Sequence, residues 1–344
     1  MNIIFLMIAC TKTINFQITV PAQVAIDQEI KTIAPINRED ENLSNRTMEK
    51  FMKELQDAQN PRFSMIPKSK AKRTYTRVRA TEGQPLNREQ TQKICTDAGV
   101  TGIITLEKLR LENKDWDFST FQTTKERKRT ITENEGEEGE QTREQVIREE
   151  VTMHKAEFFV EMVVDWKLYS CNGRIMDINS KRMSKRKYGQ GESRSDAKIA
   201  VGETDSLISN LADQQGLLYM RRISPYEISA TRKMYTCGPK KMKEGNKSME
   251  NGRFDEAAKL YKESAEETNK KDKGKSLYNL AIIQERTGKL DEALENALAA
   301  HRYIQSDMSQ NYVDILRTRK EEAEKLAEQL GTNQPAEEPQ PEAP

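Results

Sequence analysis

The residues that could do covalent or acid–base chemistry are few and scattered. Four cysteines, Cys10, Cys95, Cys171 and Cys237, lie far apart without a Cys-x-x-Cys pair, and only two histidines, His154 and His301, accompany them. That set lacks the ligand spacing of a zinc site, so no metal and no cofactor is expected. The sequence has no Gly-x-Ser-x-Gly, no phosphate-loop lysine motif, no dinucleotide fingerprint and no His-Glu-x-x-His. Gly189-Gln190-Gly191-Glu192-Ser193 has the glycines of a phosphate loop without its lysine, and reads as a turn into a helix. His154 at a strand start and His301 inside a helix read as structural, with no ligand partner at the right spacing. Trp116 and Trp166 fit core or strand-edge positions. Cys95, Cys171 and Cys237 read as buried thiols, or as the source of one disulfide in an oxidising compartment. No catalytic residue is assigned, and the chain is expected not to be an enzyme.

The 344 residues leave room for two or three domains. A formal net charge of +1 with 32% charged residues gives no overall pull toward nucleic acid or an anionic surface, so no nucleic-acid partner is expected. One basic run, Lys181-Arg182-Met183-Ser184-Lys185-Arg186-Lys187-Tyr188, has a single aromatic beside it. It reads as a charged strand edge that discourages aggregation.

The elements that must position any site begin with a repeat between Lys243 and Ile304. Gly252 matches Gly288, Phe254 matches Leu290, and Asp255-Glu256-Ala257 matches Asp291-Glu292-Ala293, each pair 36 positions apart. Gly245 and Ala281 are small where one helix would press on the next. Gly252 and Gly288 suit the left-handed end of a helix. Asp255 and Asp291 suit a helix start, and Ala257 and Ala293 a close helix crossing. These positions resemble the tetratricopeptide repeat, whose usual period is about 34 residues. The resemblance implies stacked helical hairpins whose concave face holds a protein or peptide partner. Asn246, Met249, Asn279 and Ile283 are the expected contacts. Asp307–Leu330 reads as a charged capping helix, and residues 331–344, rich in proline and glutamate, as a disordered tail.

Residues 1–9, Met-Asn-Ile-Ile-Phe-Leu-Met-Ile-Ala, form an apolar run that leads straight into Cys10. A short apolar run, a small residue and a cysteine resemble a bacterial lipoprotein signal. The resemblance implies lipidation of Cys10, with residues 10–19 as a linker and a membrane anchor through the lipid. The alternative is a buried first strand.

Residues 20–237 read as an α/β domain. Ile30–Arg38 is a short strand, and Asn42–Ala58 a helix with Leu43, Met48, Phe51, Met52 and Leu55 on one face. Phe63–Pro67 is a second strand. Pro85–Ala98 is a helix with Asn87 as its cap and Gly99 as its stop, and Val100–Leu111 is a third strand. Residues 121–150 carry opposite charge blocks with little apolar content and are expected to be a mobile loop. His154–Gln190 is a strand pair turning at Cys171-Asn172-Gly173-Arg174. Ser195–Met220 is a long helix, Ser224–Tyr235 a last strand, and Cys237-Gly238-Pro239 the domain boundary.

Val20-Pro21-Ala22, Ile33–Arg38, Gly99–Ile104 and Arg222-Ile223-Ser224-Pro225-Tyr226 resemble a lipoprotein family of Bacteroidetes-type bacteria. That family carries a domain of unknown function ahead of tetratricopeptide repeats. The element order is also similar to domains of curli-secretion and penicillin-binding-protein activator lipoproteins. The expected whole is α+β: an α/β sandwich-like domain with a mixed sheet, then an all-α hairpin array over 239–330. The expected function is an interaction scaffold in the bacterial envelope, lipid-anchored at the outer membrane and facing the periplasm. The alternatives are a cytoplasmic adaptor, or an accessory factor of an envelope enzyme or secretion system.

Overall fold

The computed structural model describes residues 10–39, 41–58, 62–78, 84–133, 141–266 and 269–331. In chain order its elements are β1 (Thr11–Val20), β2 (Thr32–Asn37), α1 (Asn42–Asp57), β3 (Ser64–Met65), α2 (Lys68–Val78), α3 (Arg88–Ala98), β4 (Gly102–Glu133), β5 (Gln141–Ser170) and β6 (Ile175–Gly191). There follow α4 (Arg194–Val201), α5 (Asp205–Ile223), β7 (Tyr226–Tyr235), α6 (Lys240–Glu250), α7 (Phe254–Glu266), α8 (Lys270–Arg286), α9 (Leu290–Ile304) and α10 (Asp307–Leu330). Two compact units result. One gathers the described residues of Met1–Gln28, Asp57–Arg62 and Arg221–Pro344, the other those of Glu29–Gln56 and Phe63–Met220.

The second unit is built on a mixed sheet in the order β3-β2-β4-β5-β6, with β2 parallel to β3 and β4 and the remaining pairs antiparallel. The middle of β2, Ile33-Ala34-Pro35-Ile36, is buried, as a strand covered on both faces requires. On one face α2 and α3 set Ala71, Ile94, Cys95 and Ala98 against Ala34, Ile36, Ile103 and Tyr169. On the other, Trp166 stacks on Tyr219 at 4.4 Å between ring centroids and meets Phe51 at 5.4 Å. Asn87 caps α3 through a reciprocal box with Gln90, and Gly99 ends it with φ 69°.

Two expectations for this unit are corrected, and one helix was not expected. Residues 121–150 are not a loop where described: β4 and β5 continue in unbroken register from Asn113↔Glu161 to Glu133↔Gln141. Their charges pair across the ladder, Lys128 with Glu144 at 2.8 Å and Arg148 with Glu126 at 2.8 Å, so composition alone misjudged the segment. The helix expected over Ser195–Met220 is two helices, because Gly202 (φ 69°) breaks the chain after Val201. The helix α2 escaped sequence reading because Lys68–Val78 offers few apolar residues to mark a face.

In the other unit α6/α7 and α8/α9 are two helical hairpins, turned at Gly252 (φ 74°) and Gly288 (φ 78°). A Cβ on Gly245 would stand 2.7 Å from the Tyr261 ring, so α6 approaches α7 where only glycine fits. Ala257, Ala281 and Ala293 are fully buried at the helix crossings. Asp255 and Asp291 lie in the first turns of α7 and α9. Ser306 caps α10 through a box with Ser309, and Gly331 closes it. Residues 1–9 and 332–344, expected as signal and tail, lie outside the described residues.

Residues 10–19, expected as a linker, are mostly β1, which pairs antiparallel with β7 from Thr11↔Tyr235 to Val20↔Tyr226. The ribbon's inward face, Phe16, Ile18, Val20, Ala230 and Met234, shares one core with Met242, Tyr261, Tyr278, Ile282 and Tyr312 of the helices. The boundary expected near Cys237-Gly238-Pro239 therefore falls earlier, at the end of α5. A ribbon this short is marginal alone and gains its stability from burial on the helices.

Candidate functional site

Asn246, Met249, Asn279 and Ile283 do lie together, but beneath the ribbon; Asn246 is the most open of the four at 7% exposure. The Asn279 side chain accepts from the Tyr235 amide at 2.9 Å and donates to the Tyr235 carbonyl at 2.8 Å. Asn246 donates to the same carbonyl at 3.2 Å, while Tyr261 Oη donates to Asn246 Oδ1 at 2.6 Å. Burial pushes the Tyr261 phenol well above its ordinary range, so it remains a donor here. The face expected to hold a partner holds β7, which corrects the assignment of these four residues as partner contacts. Two asparagines reading the main chain of one residue is strand recognition, performed intramolecularly.

A buried ion pair locks the same strand. Arg232 donates through Nε and Nη2 to Glu285 at 2.9 and 2.5 Å, and Tyr312 Oη donates to Glu285 at 3.0 Å. One carboxylate thus joins β7, α8 and α10.

One accessible concavity of this unit lies between the ribbon and α10, a trough of about 650 Å³. Its lining is apolar at Ile18, Ile228, Ala230 and Ile315, and charged at Arg232, Asp314, Arg319 and Glu322. Ile315 is 38% exposed. An apolar bed with charges of both signs suits a peptide better than a compact polar metabolite. Sequence reading missed it, although Ile14, Phe16, Ile18 and Val20 alternate with polar residues at the period of a half-buried strand.

The second unit carries a polar cleft of about 640 Å³ lined by Glu39, Glu107, Asp165, Lys108, Arg110 and Lys167. Glu107 is held by the buried Arg38 and accepts from Thr105 at 2.6 Å and from Tyr169 Oη at 3.1 Å. Asp165 is held by Arg110 at 2.8 Å and Ser180 at 2.5 Å. Glu39 accepts from the Leu109 amide at 2.7 Å, and burial pushes its carboxyl above the ordinary glutamate range. Each carboxylate is engaged by the chain's own donors.

All four cysteines are paired, Cys10 with Cys237 and Cys95 with Cys171. The second pair ties α3 to the β5–β6 turn. The first closes the open end of the ribbon, and it conflicts with lipidation of Cys10, because one sulfur cannot carry both a thioether and a disulfide. His301 Nδ1 meets Ser309 Oγ at 2.9 Å at the α9–α10 junction, and His154 lies in β5 opposite Gly191 and Thr120.

Residues 14–235 match the model of a domain of unknown function, DUF8603. The chain belongs to the DUF8603 family. Residues 243–318 match a second domain of unknown function, DUF6340. No curated protein and no solved structure matches the chain. The DUF8603 span ends at Tyr235, the last residue of β7, so it includes both ribbon strands, although these strands pack into the helical unit. Family span and packing unit thus divide the chain at different places.

Proposed function

We propose that this chain is a non-enzymatic interaction scaffold of the bacterial cell envelope, binding an apolar segment of a protein partner in the trough between the ribbon and α10. The observation that carries this reading is the apolar lining at Ile228 and the exposed Ile315 beside charges of both signs. The tetratricopeptide reading of the hairpins is supported by the paired turn glycines and the buried alanines at matching positions. With its concave face filled by β7, the array serves as a platform for the ribbon. The pairing of every cysteine favours an oxidising compartment over a cytoplasmic adaptor. Among the described residues no helix is long and apolar enough to cross a membrane. Lipidation of Cys10 would supply an anchor at the cost of the Cys10–Cys237 bond.

A photo-crosslinking residue placed at Ile315 in the native cell should capture one partner, and Ile228→Glu should remove that adduct. Capture of the same proteins from Arg317, on the exposed side of α10, would count against the trough. The accessory-enzyme reading has one observation in its favour, the raised carboxyl of Glu39 in a cleft with two further carboxylates. It requires a hydrolytic activity that Glu39→Gln abolishes.

A further inference from the structure

Beyond His154↔Gly191, the last pair between β5 and β6, β5 has only β4 as a strand partner among the described residues. The two strands continue as a ribbon arm through Phe121–Glu133 and Gln141–Met153, a reach of about 40 Å at the usual rise per residue. The uninterrupted register fixes which residues share a face. One face carries Phe121, Ile131, Ile147, Val151 and Met153 interleaved with Lys125, Arg127, Arg129 and Arg143. The opposite face has a single apolar residue, Val146, among glutamates, threonines, Gln122, Lys128 and Arg148. Counting described side chains, the apolar face has four cations against one carboxylate, Glu149, and the other has two cations against three carboxylates. Phe121 is 37% exposed. A near-neutral chain therefore segregates charge across the two faces of its arm.

We propose that the apolar, basic face of the β4–β5 arm binds an anionic phospholipid surface. Isoleucine, valine and phenylalanine would enter the boundary between headgroups and acyl chains, while arginine stems lie along the apolar layer and their guanidinium groups reach lipid phosphates. Charge argues for this occupant over a second copy of the arm, because two such faces would bring like charges together. Lys125 and Arg127 spend part of their charge on Glu192 and Glu149, which leaves attraction to a dense anionic surface rather than a tight site for one anion.

The test is flotation of the full chain with vesicles of phosphatidylcholine alone, or mixed with phosphatidylglycerol. The chain should float with the anionic vesicles, less so as salt rises. Arg127→Gln with Arg129→Gln should weaken binding by roughly fivefold per cation removed, and Ile147→Ser should weaken it further. Lys128→Gln with Val146→Ser on the opposite face should bind as the parent does, with far-ultraviolet circular dichroism unchanged in every variant. Equal flotation with both vesicle types, no flotation at low salt, or equal losses from the two faces would each overturn the proposal. So would a protein ligand that needs this face while vesicles do not.

Discussion

Asn279 is fully buried, and its amide serves both main-chain groups of Tyr235. Asn279→Ala would remove both bonds and leave the Tyr235 N–H seeking an acceptor, while the Tyr235 carbonyl keeps its bond from Asn246. We expect a loss of about 1–3 kcal/mol in urea unfolding, the cost of one orphaned group. A loss no larger than that of an exposed alanine substitution would mean that the ribbon does not rest on α8 in solution. Glu39 allows a pH test. Its folded pKa lies above the unfolded one because burial disfavours the carboxylate, so the folded state holds its proton longer. Stability should then fall as pH rises from the ordinary glutamate value through the raised one. Glu39→Gln should flatten that part of the thermal-unfolding profile against pH, and an unchanged slope would refute the assignment. Individual sites were partly legible at this scale. Asn87 and Gly99 were readable as the ends of α3 because caps are local chemistry. Asn246 and Asn279 were readable as positions on the first helix of each repeat copy, but their occupant was not, since Tyr235 belongs to another element.

Among elements, α4 shows how close packing sets residue type. A Cβ on Gly189 would lie 2.2 Å from the Ala197 carbonyl and 2.5 Å from the Val201 amide, and one on Gly191 would meet Asp196 and Ala197. The Gly189-Gln190-Gly191 run that mimics a phosphate loop is thus a seat for a helix. Gly189→Ala should cost about 1–3 kcal/mol by overpacking, with protection of α4 amides against hydrogen exchange lost first. Hairpin strands were recognisable from alternation and from the Asn172-Gly173 turn. The continuation of β4 and β5 was not, because charged residues weigh against a strand until each meets its counter-charge across the ladder.

At the scale of the molecule, the Cys10–Cys237 bond joins residues 227 apart in sequence and fastens the outer end of the ribbon. Its removal by Cys237→Ser should lower stability by about 2–5 kcal/mol, as for native disulfides in general. The denatured, unreduced protein should take up no maleimide, and the reduced protein should take up four, one for each cysteine. A protein bearing lipid at Cys10 would instead show one reactive thiol at Cys237 without reduction, and mass spectrometry would separate the two forms directly.

By itself the sequence determined what short-range physics controls: the helical hairpins, their glycine turns, the helix caps and the strand–turn–strand of β5 and β6. Each of these depends on residues a few positions apart. Tertiary structure alone decided that β1 pairs with β7, that this ribbon packs on the helices, and that a trough lies beside α10. Those outcomes depend on apolar faces that many partners could cover equally well along the chain. Only the folded chain selects which partner, by burying Phe16, Ile18 and Met234 on Tyr261, Tyr278 and Tyr312 in a single core.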